Sequence, residues 1–363
     1  GASMIIICGP FPPPVHGMSK NLLLFKEKIE FLEGKVVPID ISPGTLVRGK
    51  KYHLTKIKKV LIALSKIISI KKADRNEKIK FYLPPDGGFG LVYSILLTTI
   101  ASFKCDKIYL HHRSYAYINK YSVLMAVLNA AAGKKATHIF LSEKMANDFS
   151  KKYRVDKYYI VSNLIHVKNW FELNLEPKKY TQDEIVLGFM SNISIEKGIK
   201  DAVNTTLMLR EKGIDAKLKI GGVCDNIEIE NYLNDTIKSN PSDFEFVGFV
   251  DKNSKLDFFK ELDWFLFPTR YVNEAQPNVL FESVAAGVPF ITIERGCIIG
   301  DFPDYPYVMR EKENFPEFAT KAIIDNITPS SYEKNRAELI LKVRHQLNDA
   351  ELKENTMFEN ILN

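Results

Sequence analysis

The chain has 363 residues, 45% of them apolar, which is enough material for two domains that each bury a core. Its four cysteines stand singly and show none of the spacings typical of metal sites, so we expect reduced thiols in a cytoplasmic protein. No apolar run is long enough to span a bilayer, so we expect the protein to be soluble or peripheral at the inner face of the cell membrane.

The net charge is only +6, but it is unevenly distributed. The segment 48–80 holds twelve Lys or Arg and two acids, a net +10, whereas the rest of the chain carries −4. Five apolar residues recur there at helical spacing, namely Leu54, Ile57, Leu61, Leu64 and Ile68. Such a helix either binds an anionic membrane surface or packs its stripe on its own domain, and the sequence leaves both open. No nucleic-acid-binding motif accompanies the lysines, so we expect no nucleic-acid partner.

Short apolar runs alternate with helical stretches along the first half of the chain, as in a doubly wound parallel sheet. The predicted strands are Met4–Cys8, Val36–Ile41, Ile79–Leu83, Lys107–Leu110, Thr137–Leu141 and Tyr158–Val161. The second half repeats the pattern, with strands near Ile185–Met190, Ala216–Ile220, Phe244–Val247, Asp263–Phe267 and Pro289–Ile293. A polar stretch at about residues 167–184 separates the halves. The fold class is therefore α/β with two Rossmann-like domains.

A proline-rich loop follows the first strand and ends at Gly17, just before a helix for which we expect Ser19 as the N-cap. The prolines stiffen the loop, and Gly17 permits close approach of the backbone to a ligand. A stiff connector without a ligand fits equally well. The loop lacks the G-x-G-x-x-G spacing of dinucleotide-binding folds, which counts against an oxidoreductase.

His111 and His112 close the fourth predicted strand. Two adjacent histidines without a third His or a carboxylate at ligand spacing are poor evidence for a metal. The chain also lacks a D-x-D motif for a metal-bound diphosphate, so we predict an enzyme with neither a metal nor another cofactor. For at least one of the pair, a strand-end histidine bonded to the backbone is the plain alternative.

A lysine follows the first strand of the second half. Lys197 precedes Gly198 and a helix, so its charge lies beside a helix N-terminus and suits a diphosphate leaving group. Many lysines at such places are merely solvated.

The most informative stretch is E-A-Q-P-N-V-L-F-E, which runs from Glu274 to Glu282 between a predicted strand and a helix that ends at Gly287. Pro277 suits the first helical turn. We therefore expect backbone N–H groups of residues 278–280 to point into a crevice at the strand's carboxyl end and to bind a diphosphate.

The two glutamates suit hydroxyl groups better than phosphates, because like charges repel. Glu282, one helical turn past Asn278, is expected to accept the ribose hydroxyls of a nucleotide, and Glu274 the hydroxyls of a transferred sugar. Either acid alone could be an ordinary solvated residue. The nine-residue pattern as a whole favours a sugar-nucleotide site.

These residues, with the Ala-Ala-Gly-Val-Pro that follows, resemble the E-x7-E signature of the retaining glycosyltransferases of family 4, which have the GT-B fold. The Lys-Gly after the strand 185–190 and the glycine loop that ends at Gly17 are similar to two further elements of that family. The resemblance implies two domains that face a cleft: an acceptor domain at 4–166, onto which a C-terminal helix at 345–363 packs back, and a donor domain at 184–330.

The resemblance also implies site residues. The expected catalytic residues are His112, Glu274 and Lys197, with His112 slightly preferred over His111 for a contact with the donor sugar. The expected donor-binding residues are Gly17, His111, Ser191, Asn192, Val250, Arg270, Ala275, Asn278, Val279, Leu280 and Glu282. The family often has an arginine near Ser191, and here Arg270 is the candidate for that charge.

The implied activity is transfer of a sugar, with retention, from a nucleotide-diphosphate sugar to a glycan or a lipid-linked glycan. The context implied is synthesis of a bacterial surface polysaccharide, such as a capsule or the O-antigen of lipopolysaccharide. Two alternatives stay open, a sugar-nucleotide epimerase of the same fold and a catalytically silent scaffold at the membrane.

Overall fold

The computed structural model describes residues 3–363, which form two compact units. The first unit comprises the described residues up to Ser162 together with Glu351–Asn363, and the second comprises Asn163–Ala350. The second unit thus includes the polar stretch at 167–184, which was predicted from the sequence to separate the two domains. It does so because Val167, Phe171 and Tyr180 are buried among its core residues.

The first unit is built on a six-stranded parallel sheet in the order β2-β1-β3-β4-β5-β6. Its strands are β1 (Ser3–Gly9), β2 (Lys35–Asp40), β3 (Lys78–Leu83), β4 (Lys107–His111), β5 (Ala136–Phe140) and β6 (Tyr158–Ile160). All six were predicted from the apolar runs, and the prediction is confirmed. Strand order reverses at β1, which pairs with β2 on one side and with β3 on the other.

The helices of this unit are α1 (Gly17–Phe31), α2 (Lys50–Ser69), α3 (Leu91–Lys104), α4 (Ala116–Asn119), α5 (Val123–Ala132) and α6 (Glu143–Ser150). The N-cap of α1 is His16, so the prediction of Ser19 is wrong. The Ser19 hydroxyl instead lies inside the first turn, where it accepts the His16 N–H at 2.9 Å and donates to the Pro14 carbonyl at 2.9 Å. The helix can therefore begin three residues earlier.

A second six-stranded parallel sheet forms the other unit, in the order β12-β11-β10-β7-β8-β9. Its strands are β7 (Ile185–Met190), β8 (Ala216–Gly221), β9 (Phe244–Gly248), β10 (Trp264–Phe267), β11 (Phe290–Ile293) and β12 (Val308–Met309). The first five were predicted and are confirmed. The two-residue β12 was missed, because so short a strand leaves no periodic signal.

The helices of the second unit are α7 (Lys168–Glu172), α8 (Ile199–Glu211), α9 (Ile227–Ser239), α10 (Lys255–Lys260), α11 (Asn278–Ala285), α12 (Ile298–Asp301), α13 (Phe315–Asp325) and α14 (Pro329–Leu362). Two apolar cores lie against the sheet, and Trp264 and Phe265 on adjacent positions of β10 each belong to one of them. This arrangement explains the uninterrupted apolar sequence of β10, because a strand covered on both faces needs no polar side.

The last turns of α14 belong to the first unit, where Met357, Phe358 and Ile361 join its core. The Lys80 side chain, only 1% exposed, donates to the carbonyls of Asn360 at 2.7 Å and Ile361 at 2.9 Å. These carbonyls have no partner within the helix, so Lys80 satisfies the end of α14.

Candidate active site

Strand order reverses between β7 and β10 in the second unit, because β7 leads to β8 and β9 while β10 leads to β11 and β12. In parallel α/β sheets, ligands bind outside the carboxyl ends of the strands at such a switch point. The loops that leave β7 and β10 here carry Lys197 and Glu274. The topology thus brings together two predicted catalytic residues that are 77 positions apart.

Lys197 and Glu274 form an ion pair, with 2.8 Å between Lys197 Nζ and Glu274 Oε2. The same carboxylate oxygen accepts the Thr269 hydroxyl at 3.2 Å. The Lys197 ammonium also lies 4.8 Å from the centre of the Tyr271 ring, a cation–π distance. Both charged side chains stay partly exposed, at 24% for Lys197 and 14% for Glu274. They can therefore reach a ligand while holding each other in place.

Gly198 allows Lys197 to occupy this place. Its φ of +91° lies in the left-handed region. A Cβ at Gly198 would stand 2.2 Å from the Pro268 carbonyl oxygen, so only glycine permits this approach of the β7 loop to the end of β10.

Helix α11 starts directly after Pro277, whose backbone is extended at φ −68° and ψ 122°. The first amides of a helix have no partner one turn back, so those of Asn278 and Val279 are available to an anion. The Leu280 N–H is bonded to the Pro277 carbonyl at 3.3 Å, so its predicted role as a free phosphate donor is weakened. The Asn278 side chain is exposed, whereas Leu280 packs in the core.

Glu282 lies one turn into α11 and is only 8% exposed. Lys255, at the start of α10, donates to both carboxylate oxygens of Glu282, at 3.1 and 3.3 Å. The ribose-binding carboxylate predicted from the sequence thus has a lysine partner that the sequence analysis did not identify. The two residues are 27 positions apart, and no motif links them.

Gln276, in the middle of the motif, is 5% exposed, and its hydrogen bonds hold the loop in place. Its side-chain oxygen accepts the Asn163 N–H at 2.8 Å, and its carbonyl accepts the Asn163 amide at 2.9 Å. Its side-chain nitrogen donates to both oxygens of Asp301, at 3.0 and 2.9 Å. Sequence reasoning missed Gln276, although its place between Glu274 and Pro277 was a usable signal.

The other site residues predicted in the second unit do not join the Lys197–Glu274 or Lys255–Glu282 ion pairs. Arg270 directs its guanidinium to Asp201 at 3.6 Å and to the Glu311 carbonyl at 3.2 Å, so its charge is already shared. Ser191 and Asn192 follow β7, and the Ser191 hydroxyl donates to the Asn192 carbonyl at 2.8 Å. Val250 is half-buried after β9, and Ala275 is buried beside Glu274.

Gly17, His111 and His112 belong to the first unit. Gly17 is exposed at the start of α1, and no described heavy atom lies within 4 Å of a Cβ built on it. His111 is 1% exposed, and its Nδ1 is hydrogen-bonded to the Tyr82 hydroxyl. Burial raises the pKa of Tyr82 to about 12, so this hydroxyl stays protonated.

His112 is a core residue, contrary to the preference drawn from the sequence. It is fully buried, its Nδ1 lies 2.7 Å from the Tyr117 hydroxyl, and its Nε2 lies 2.8 Å from His138 Nδ1. Burial lowers the pKa of His112 well below its usual value and that of His138 to about 4, so both rings stay neutral. Neither nitrogen of His112 is left for a sugar. Of the two predicted histidines, His111 is then the remaining candidate for a donor contact, and that role stays a prediction.

Residues 3–363 contain no group of three or more His, Cys, Asp or Glu side chains placed to hold a metal ion. Metal independence stays a prediction. None of the helices within the same residues is both long and apolar enough to cross a membrane.

Residues 184–323, which contain Lys197, Glu274 and Glu282, match the family model for glycosyl transferases group 1. In this segment the chain is similar to glycosyl transferases group 1. The glycosyltransferase is 22% identical over 313 residues to the capsular polysaccharide biosynthesis glycosyltransferase CapM of Staphylococcus aureus, a match that covers 76% of each chain. It is thus related to enzymes of capsule and cell-surface glycan synthesis.

Two solved structures show the fold of this glycosyltransferase. The sucrose-phosphate synthase of Thermosynechococcus elongatus is similar at a TM-score of 0.69 and 11% identity, over 99% of both chains. HepE of Anabaena, solved in complex with UDP, has a TM-score of 0.61 at 11% identity, over 96% of this chain and 99% of its own. The glycosyltransferase has the GT-B fold, as the sequence resemblance implied.

Proposed function

We propose that the protein is a retaining glycosyltransferase of family 4 that binds a nucleotide-diphosphate sugar at the carboxyl ends of β7 and β10. The observation that carries this proposal is the Lys197–Glu274 ion pair, whose glutamate lies four residues before the first residue of α11. A cation and free amides suit a diphosphate, while a carboxylate next to them suits sugar hydroxyls. Glu282, further along α11, suits the ribose.

The proposed reaction exchanges one bond for another at the anomeric carbon. The bond to the β-phosphate oxygen breaks while a bond to the acceptor oxygen forms on the same face of the sugar. The acceptor proton passes to the departing phosphate oxygen. Lys197 and the α11 amides stabilise the negative charge on the leaving diphosphate, and no metal or cofactor takes part.

The donor residues can be tested by comparing Glu274→Ala, Glu282→Ala and the exposed control Glu333→Ala. A screen of nucleotide-sugars by thermal shift first finds the donor, because a bound ligand raises the Tm. Glu274→Ala should lower kcat about 10²-fold or more. Glu282→Ala should mainly weaken donor binding, measured by calorimetry, and Glu333→Ala should do neither. Wild-type affinity and rate in both motif variants would refute these roles.

Stereochemistry and the alternative activities need separate measurements. The anomeric configuration of the first product, determined by proton NMR, should equal that of the donor. Incubation with donor alone should leave the sugar unchanged or slowly hydrolysed. An epimerised sugar would favour the epimerase, and a protein that neither binds nor turns over any donor would favour the scaffold.

We further propose that the acceptor is a glycan or lipid-linked glycan of a bacterial surface polysaccharide, reached at the cytoplasmic face of the membrane. The similarity to CapM supports a glycan acceptor. The surface of α2 supports a membrane location. This helix buries Val60, Ala63 and Ile67 against its own unit. Four of the five stripe residues are exposed instead, namely Leu54, Ile57, Leu61 and Ile68.

Exposed apolar side chains among lysines match an anionic lipid surface, which attracts the charges and accepts the apolar groups. Co-sedimentation should therefore show binding to vesicles that contain about a third phosphatidylglycerol and less to pure phosphatidylcholine. Leu54→Ser combined with Leu61→Ser should abolish it. Leu352→Ser is the matched control, because Leu352 on α14 is 68% exposed and Leu54 67%. Equal binding by all variants, or none by the wild type, would contradict the proposal.

A further inference from the structure

Lys255 has been given no role so far beyond its ion pair with Glu282. The lysine nitrogen lies 3.1 Å from one carboxylate oxygen and 3.3 Å from the other, so it bridges the group. The side chain of Glu282 is 10% exposed and that of Lys255 is 30% exposed. The acid is thus enclosed, while its partner lies nearer to solvent.

An enclosed carboxylate needs a counter-charge, because removal of one partner from such a pair leaves a poorly solvated charge behind. A bridging ammonium also fixes the plane of the carboxylate. It uses only part of the acceptor capacity, since two carboxylate oxygens offer about four lone-pair positions. The remaining positions stay available to vicinal hydroxyl groups.

Hydrogen bonds in the turn before α10 also hold Lys255 in place. Asp251 Oδ1 accepts the N–H groups of Asn253 and Ser254, both at 2.9 Å, and the Ser254 hydroxyl, also at 2.9 Å. The Lys255 N–H then bonds to the Asp251 carbonyl at 3.1 Å. This turn directly follows Val250, one of the donor-binding residues that the resemblance implies. The ion pair therefore connects a segment expected at the donor to the acid expected at the ribose.

We propose that Lys255 is a positioning residue for ribose recognition: it orients the Glu282 carboxylate so that its free lone pairs meet the 2′- and 3′-hydroxyls of the nucleotide. The proposal rests on the proposed function, in which Glu282 binds the ribose. Lys255 acts through Glu282 and does not contact the reacting atoms. Its loss should therefore affect a nucleotide that carries the hydroxyls and spare one that lacks them.

Calorimetry can test this with UDP, GDP and ADP as probes, each beside its 2′,3′-dideoxy form, which lacks both hydroxyls, at fixed salt. For the probe that binds best, Lys255→Met should weaken the ribonucleotide about tenfold and the dideoxynucleotide less than twofold. Lys255→Arg should keep most of the discrimination. Lys252→Met, three residues upstream on the exposed turn, is the control for lost positive charge.

The Glu282→Gln variant distinguishes a failure of the ribose role of Glu282 from a failure of the positioning role of Lys255. If Glu282→Gln keeps wild-type affinity and discrimination, the ribose role of Glu282 fails, and the proposal fails with it. If Glu282→Gln loses discrimination while Lys255→Met keeps it, only the inference about Lys255 is overturned. An equal loss for both nucleotide forms in Lys255→Met would mean a general charge effect on the diphosphate and would also overturn it. The Tm of each variant checks that it is folded.

Discussion

Lys197 Nζ lies 2.8 Å from Glu274 Oε2, so the two charges that we propose bind different parts of a donor hold each other in place. Each side chain thereby holds the other in the position in which it would bind a ligand. A diphosphate would share the lysine with Glu274 and would not need to recruit it from solvent, and such preorganisation is how electrostatic catalysis gains its strength.

We expect Lys197→Met to lower kcat about 10²-fold or more, because charge accumulates on the diphosphate as it leaves. KM for the donor should change less than kcat, since this charge is largest in the transition state. Steady-state kinetics on the identified donor measure both values. Lys200→Met, at an exposed lysine on α8, is the control and should leave kcat unchanged. A wild-type kcat in Lys197→Met would refute the leaving-group role.

Gly198→Ala should destabilise the second unit by about 2–4 kcal/mol, because the new Cβ would enter the space of the Pro268 carbonyl and φ is +91°. Gly213→Ala is the matched control. Its φ of +82° is similar, but no described heavy atom lies within 4 Å of the added carbon, so the cost should be about 1 kcal/mol. Both tryptophans, Trp170 and Trp264, lie in this unit, so urea unfolding followed by their fluorescence reports on it. Equal losses of stability in the two variants would show that the contact with the Pro268 carbonyl is unimportant.

Gln276 and Asp301 allow a test in which the direction of a hydrogen bond is reversed. Gln276→Glu should lower kcat about tenfold or more, because it sets two carboxylates face to face where an amide now donates to both Asp301 oxygens. Adding Asp301→Asn should restore activity to within about threefold, since the new amide can donate to the new carboxylate. Asp301→Asn alone should be mild. Failure of the second change to rescue the first would show that the loop does not depend on this pair.

Lys80 should make stability depend on pH. Burial, together with the neighbouring lysines, lowers the pKa of Lys80 from 10.5 to about 8. Between these values the unfolded chain binds more protons, so the wild type should gain stability relative to Lys80→Met as pH rises from about 8 to about 10.5, by at most about 3 kcal/mol. Urea unfolding followed by circular dichroism measures this difference. The exposed Lys20→Met should show no such trend, and a flat difference for Lys80→Met would contradict the lowered pKa.

The eleven strands predicted from the sequence are all present, because strands covered on both faces leave continuous apolar runs that depend only on local composition. The motif around Glu274 likewise predicts its own loop and helix, since Pro277 and Gly287 mark their ends locally. One of the failed predictions had a tertiary cause. His112 looked like a strand-end residue open to a ligand, but Tyr117 and His138 enclose it, and nothing in the neighbouring sequence shows that.

The sequence by itself determined the α/β class, the order of the elements and the residue types at the proposed donor site, because periodicity, turn residues and a nine-residue motif all lie within short stretches of the chain. Only the tertiary structure decided which charges meet. Lys197 reaches Glu274 across 77 positions and Lys255 reaches Glu282 across 27, through the order of strands in a sheet and the packing of two helices. A direct ion pair requires the two charged groups to lie within about 4 Å, so partners depend on where the folded backbone places each side chain.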